Sequence, residues 1–159
     1  MDSLFGLPAH PLIVHAAVVL LPLAAAGVIA VAVAPKLRSR YTGLVVLLAA
    51  AAAGIMPLAS ESGESLMRAV EFSAATTEHV NIGETGTSAG IAVLIAALAV
   101  WGVQHRARSG RRPKRWLVRS VAVVAVVASV AATVQIVRIG HTGATSVWEN
   151  TVIPPEYED

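Results

Sequence analysis

Four apolar stretches divide the chain: Leu12 to Ala34, Tyr41 to Ala59, Thr85 to Gln104 and Leu117 to Ile139. The first three contain no charged residue. The fourth carries Arg119 near one end and Arg138 near the other, both placed to reach an interface with their head groups. A bilayer core of ~30 Å takes about 20 helical residues to cross, so each stretch predicts a transmembrane helix. Pro22 lies in the middle of the first and predicts a bend there. Pro35 closes the first span, and Pro113 precedes the fourth. The expected fold is all-α, a four-helix transmembrane bundle forming a single domain over residues 1–159. Two hairpins of similar size give a weak two-fold resemblance; no solenoid repeat is visible.

The segment between the second and third spans, roughly Ser60 to Glu84, is too long for a simple turn. Leu66, Met67, Val70 and Phe72 alternate there with Glu64, Arg68 and Glu71. That pattern predicts a short amphipathic helix lying on the membrane surface. A second helical start is expected at Thr76-Thr77, where a threonine can cap.

Composition agrees with the spans. The chain is 55% hydrophobic and 14% charged, well below the roughly 25% charged residues of soluble domains. It has no cysteine, which removes disulfides, thiolate chemistry and covalent haem attachment. Charge is segregated. Ten of the twelve Lys and Arg residues lie in the short connections after the first and third spans or beside them: Lys36, Arg38, Arg40, Arg106, Arg108, Arg111, Arg112, Lys114, Arg115 and Arg119. The acidic residues all lie in the N-terminus, the second connection or the C-terminal tail. Basic residues in short loops mark the cytoplasmic side, so both termini are expected on the outer side of the membrane. The basic residues sit in short connections between apolar spans, so nucleic acid is not an expected partner; the lipid bilayer is. No HExxH motif, phosphate-binding glycine loop or Ser–His–acid arrangement is present.

Candidate chemistry rests on histidine. His105 falls in the basic connection and reads as solvated. His10, His15, His79 and His141 all fall at the opposite end of the spans, from three separate chain segments. Ionisable residues at the membrane are functional candidates, and neutral imidazole is a common metal ligand. Interfacial histidines also commonly do no more than bind headgroups, backbone and water. His79, Gly83, Gly86 and Gly90 are spaced to share one helix face, which reads either as a groove for a flat macrocycle or as a surface for close helix packing. Arg138, three residues before His141, is placed either to meet a haem propionate or to snorkel. Gly140 and Gly143, flanking His141, read either as a glycine cap that ends the fourth helix or as room for the close approach of a ligand.

His10-Pro11-Leu12-Ile13-Val14-His15 resembles the opening HPxxVH signature of a family of bacterial membrane proteins of unknown function, numbered 2231. Gly140-His141-Thr142-Gly143-Ala144 through Val147-Trp148 resembles its closing GHxGG…VY signature, and Ser62-Gly63-Glu64 and Glu78-His79 match weaker positions. The chain departs at Ala144, where a second glycine is expected, at Trp148 in place of tyrosine, and at Ala16-Ala17. Fusions of family members to Rieske or cytochrome domains imply redox work by association.

Three readings stay open. One is a b-type haem protein passing electrons at the outer face, to a redox or respiratory-chain partner. In it His15 or His79 is one axial ligand and His141 the other, with His10 near by and Arg138 at a propionate. The second is a zinc or copper site built from His15, His79 and His141. The third is a non-redox structural or assembly subunit. All three fit an electron-transfer or binding protein better than a stand-alone enzyme, and a homo-oligomer is compatible with each.

Overall fold

The computed structural model describes residues 3–4, 6–68, 73–111 and 113–148. A two-residue antiparallel pair, β1 (Ser3–Leu4) with β2 (Leu7–Pro8), turns through Gly6 at φ 80°. Five helices follow: α1 (Ala9–Val33), α2 (Pro35–Met67), α3 (Ala74–Gly83), α4 (Thr85–Arg108) and α5 (Arg115–Trp148). Four are long and apolar enough to cross a membrane, α3 and α4 counting as one rod.

The helices overrun the apolar stretches that predict them. A 34-residue helix such as α5 is about 51 Å long at 1.5 Å per residue, some 20 Å more than the hydrocarbon core. Leaving lipid therefore does not end a helix here, and three expectations change. The connection holding Lys36, Arg38 and Arg40 is not a loop: only Ala34 separates α1 from α2, and Pro35 opens α2 at its first turn, where its missing N–H costs nothing. Gly140 and Gly143 do not end α5, which continues to Trp148. Among the described residues, the stretch around Leu66 forms no amphipathic helix of its own. Ser60 to Met67 simply prolong α2, while Val70 and Phe72 lie outside the described residues. The helical start expected at Thr76-Thr77 falls three residues earlier, where the Ser73 side chain accepts from the Thr76 N–H at 3.1 Å. α1 runs unbroken through Pro22.

α1 packs on α2 and α5, and α4 on α2 and α5, closing a ring; α1 and α4 also meet across its centre, and α3 lies mainly on α5. The core is built from small residues. Ala24, Ala25, Ala49, Ala52 and Ala97 are fully buried with Leu21, Val28 and Val93. Large apolar side chains such as Leu44, Leu47, Val124 and Val127 face outward, as lipid permits. At the basic end the Arg38 guanidinium, in the first turns of α2, donates to the Val31 carbonyl at 2.9 Å and to the Ala32 carbonyl. These are carbonyls that the end of α1 leaves without helical partners. Arg108 of α4 donates to the Ser39 carbonyl.

α2 and α4 approach closely at two glycines. A Cβ added at Gly90 would stand 3.0 Å from Met56 Cγ and 3.1 Å from the Ala53 Cα. At Gly86 it would meet Met56 Cε at 2.5 Å, the far end of a flexible side chain. Around Gly102 there is open space. Gly90→Val should therefore destabilise the protein by about 1–3 kcal/mol in detergent unfolding. Gly102→Val should stay within about 0.5 kcal/mol of wild type. Equal effects at the two positions would contradict the α2–α4 contact.

Candidate functional site

The end of the bundle opposite the basic connections gathers four of the five histidines, and two of them meet. The His10 and His79 rings, both half-buried, have centroids 6.4 Å apart with planes at 67°. His10 sits in the first turn of α1, and His79 in the middle of α3.

Each ring is held by a neighbouring helix in the same way. On α2, the Ser62 hydroxyl donates to the Ala59 carbonyl at 2.8 Å. His10 Nδ1 lies 3.0 Å from that carbonyl and 3.1 Å from the Ser62 Oγ. On α5, the Thr142 hydroxyl donates to the Ile139 carbonyl at 3.1 Å, and His79 Nδ1 lies 3.1 Å from the Thr142 Oγ1. A hydroxyl that gives its only proton to a carbonyl can act toward the imidazole only as an acceptor. Both Nδ1 atoms must therefore carry the proton, which leaves Nε2 unprotonated in each neutral ring.

Next to each hydroxyl is a glycine against which the ring packs. A Cβ at Gly63 would come within 3.0 Å of His10 Cε1, and one at Gly143 within 3.0 Å of His79 Cε1. The arrangement thus occurs twice: a histidine from the first helix of a hairpin, and a carbonyl, a hydroxyl three residues on and a glycine four residues on from the second. The weak two-fold visible in the spans extends to these side chains. Ser62 is buried, at 4% exposure.

The remaining expected site residues stand apart. His15 is exposed, its Nδ1 donating back to the Pro11 carbonyl of its own helix at 2.6 Å. His141 and Arg138 are exposed on α5. His105 stacks on Trp101 at 5.4 Å in the last turn of α4. The expectation that His15, His79 and His141 converge on a metal is corrected, because the described residues contain no group of three or more His, Cys, Asp or Glu side chains able to hold a metal ion. The same finding overturns haem b, with its axial-ligand and propionate roles for His15, His79, His141, His10 and Arg138, and overturns zinc and copper. Of the two readings of the glycine face, a macrocycle groove and close helix packing, Gly86 and Gly90 fit the second: they are covered by Met56 and the Ala53 backbone.

Sequence reasoning missed Ser62 and Thr142 as imidazole partners and treated His10 as secondary. A signal was present: a hydroxyl–glycine pair, Ser62-Gly63 and Thr142-Gly143, follows both the second and the fourth apolar span.

A family model described as "Predicted membrane protein (DUF2231)" matches residues 6–153. No curated protein and no solved structure matches the chain.

The hydroxyl geometry sets a tautomer that is directly observable. Nitrogen-15 spectra of the protein in micelles at pH 8 should show His10 and His79 as Nδ1–H imidazoles with an unprotonated Nε2. Observation of the Nε2–H tautomer at either residue would contradict the hydrogen-bond assignment.

Proposed function

Because the chain belongs to the DUF2231 family of bacterial membrane proteins, whose model covers most of its length, we propose that it is a multi-pass membrane subunit. In this reading it works through contacts with other membrane proteins rather than as a stand-alone enzyme. His10 and His79 serve as helix fasteners at one end of the bundle. The observation that supports this is the twice-occurring set of imidazole, carbonyl, hydroxyl and glycine. Each set commits a ring nitrogen to a neighbouring helix 49 to 63 residues away in sequence. Such bonds between membrane helices are individually modest, about 0.6 kcal/mol on average and up to ~1.7. Two of them at one end fix the register of both hairpins.

The orientation we propose follows the charge segregation: the basic end is cytoplasmic and both termini are outside. Trp101 and Trp116, exposed near the basic end, and Trp148, exposed at the other, suit the two interfaces.

Two experiments test the proposal. At pH 8, His10→Ala and His79→Ala should each lower stability in micelles by about 1 kcal/mol. His10→Asn and His79→Asn, which place an amide N–H where Nδ1 stands, should recover most of the loss. Alanine variants as stable as wild type would remove the fastening role. Separately, cysteines introduced at Gly110 and Thr145 should react with a membrane-impermeant reagent from opposite sides, Thr145→Cys in intact cells and Gly110→Cys only after lysis. Labelling of both from one side would overturn the orientation.

A further inference from the structure

Both fastened rings keep one nitrogen in reserve, and those rings touch each other. Each Nδ1–H is committed to its own hairpin partner, so Nε2 is where a proton adds. We propose that the His10–His79 contact is operated by protons: with the rings neutral the ends of α1 and α3 stay together, and with both rings protonated they separate. This rests on the fastening reading above.

The direction follows from where the charge falls. An imidazolium donates a stronger Nδ1–H bond to a carbonyl or hydroxyl than neutral imidazole does. Protonation therefore tightens His10 on Ala59 and Ser62, and His79 on Thr142. Neither hairpin is loosened internally. The cost appears between the hairpins, where two like charges would stand with ring centroids 6.4 Å apart at a half-buried position, poorly screened by water. One proton is tolerated there; the second is resisted. Imidazole is the side chain whose ordinary titration falls between pH 5 and 8.

Among the described residues little else joins α1 to α3. α3 lies mainly on α5, and its contact with α1 is slight. Among the described residues, the other ionisable groups at this end are His15 on α1, Glu61 and Glu64 on α2 with Arg68 at its end, Glu78 on α3, Glu84 before α4, and Arg138 and His141 on α5. All are exposed, and none is hydrogen-bonded to either ring. Among the described residues no carboxylate is hydrogen-bonded to either ring.

Spin labels on cysteines at Leu12 and Thr77, both exposed, report the separation of α1 from α3 in lipid nanodiscs. In the otherwise wild-type chain the label distance should lengthen by about 2 Å or more, the scale of a helix shift, between pH 8 and pH 5. In His10→Asn and in His79→Asn the lengthening should vanish, because the one remaining charge has no like charge opposite. An unchanged wild-type distance across that range overturns the proposal, as does a lengthening that persists in both variants. The wild-type titration decides by itself should a variant lose its pH 8 distance. A flat titration beside destabilised alanine variants at pH 8 leaves the fastening reading standing and removes only this one.

Discussion

Lipid gives helices no hydrophobic reason to associate, since a tail is as apolar as leucine. What remains is dispersion between closely approached surfaces, which falls away within an ångström of optimal contact. The bundle depends on that closeness. Its buried positions are dominated by alanine, and α4 presents Gly86 and Gly90 to α2. With no Cβ between them, the Gly90 backbone lies against the Ala53 Cα and the Met56 side chain. The same absence of side chains that makes a glycine stripe look like a vacant groove in sequence is what lets a neighbouring helix close it.

Toward the ends of the helices the solvent changes, and so does the means of attachment. Polar groups there can reach water, so a hydrogen bond between helices must be geometrically favoured to persist. The Ser62-Gly63 and Thr142-Gly143 pairs supply that geometry. The hydroxyl closes onto the carbonyl three residues back, which fixes its lone pairs toward the incoming ring, and the adjacent glycine removes the methylene that the ring would strike. Neither residue would hold the imidazole alone. A serine without the glycine holds it off, and a glycine without the serine offers no side-chain acceptor.

The four spans were legible because each lacks charge over about 20 residues, a pattern that water-soluble helices do not sustain. Their ends were not. Proline, glycine and charge usually mark helix boundaries. Here Pro35 opens a helix one residue after the previous one stops, while Gly140 and Gly143 sit inside one. A helix already satisfied along its backbone has no need to stop on leaving lipid. The gathering of histidines at one end was also legible, because it needs only topology. Which of them meet was not. The pairing of His10 with His79 depends on the rotation of α1 and α3 about their axes, set by packing between hairpins 69 residues apart. His15, five residues beyond His10 and so about 140° around α1, turns outward. Metal chemistry was inferred from the number of histidines, and number does not constrain direction.

The two ends of the bundle are fastened by chemically different groups. At the basic end, Arg38 holds the last carbonyls of α1, and Arg108 holds Ser39. Guanidinium keeps its charge throughout the physiological range, so those bonds do not respond to pH. They also join α1, α2 and α4 close to the short connection at Ala34, where the chain leaves little freedom. At the other end the fastening groups are neutral imidazoles that can gain charge, and the element carrying one of them, α3, is only ten residues long. A bundle tied permanently at one end and conditionally at the other has its freedom of motion decided in advance. In the proton-operated reading, movement between the hairpins is smallest near the Arg108–Ser39 bond and largest where the histidines meet.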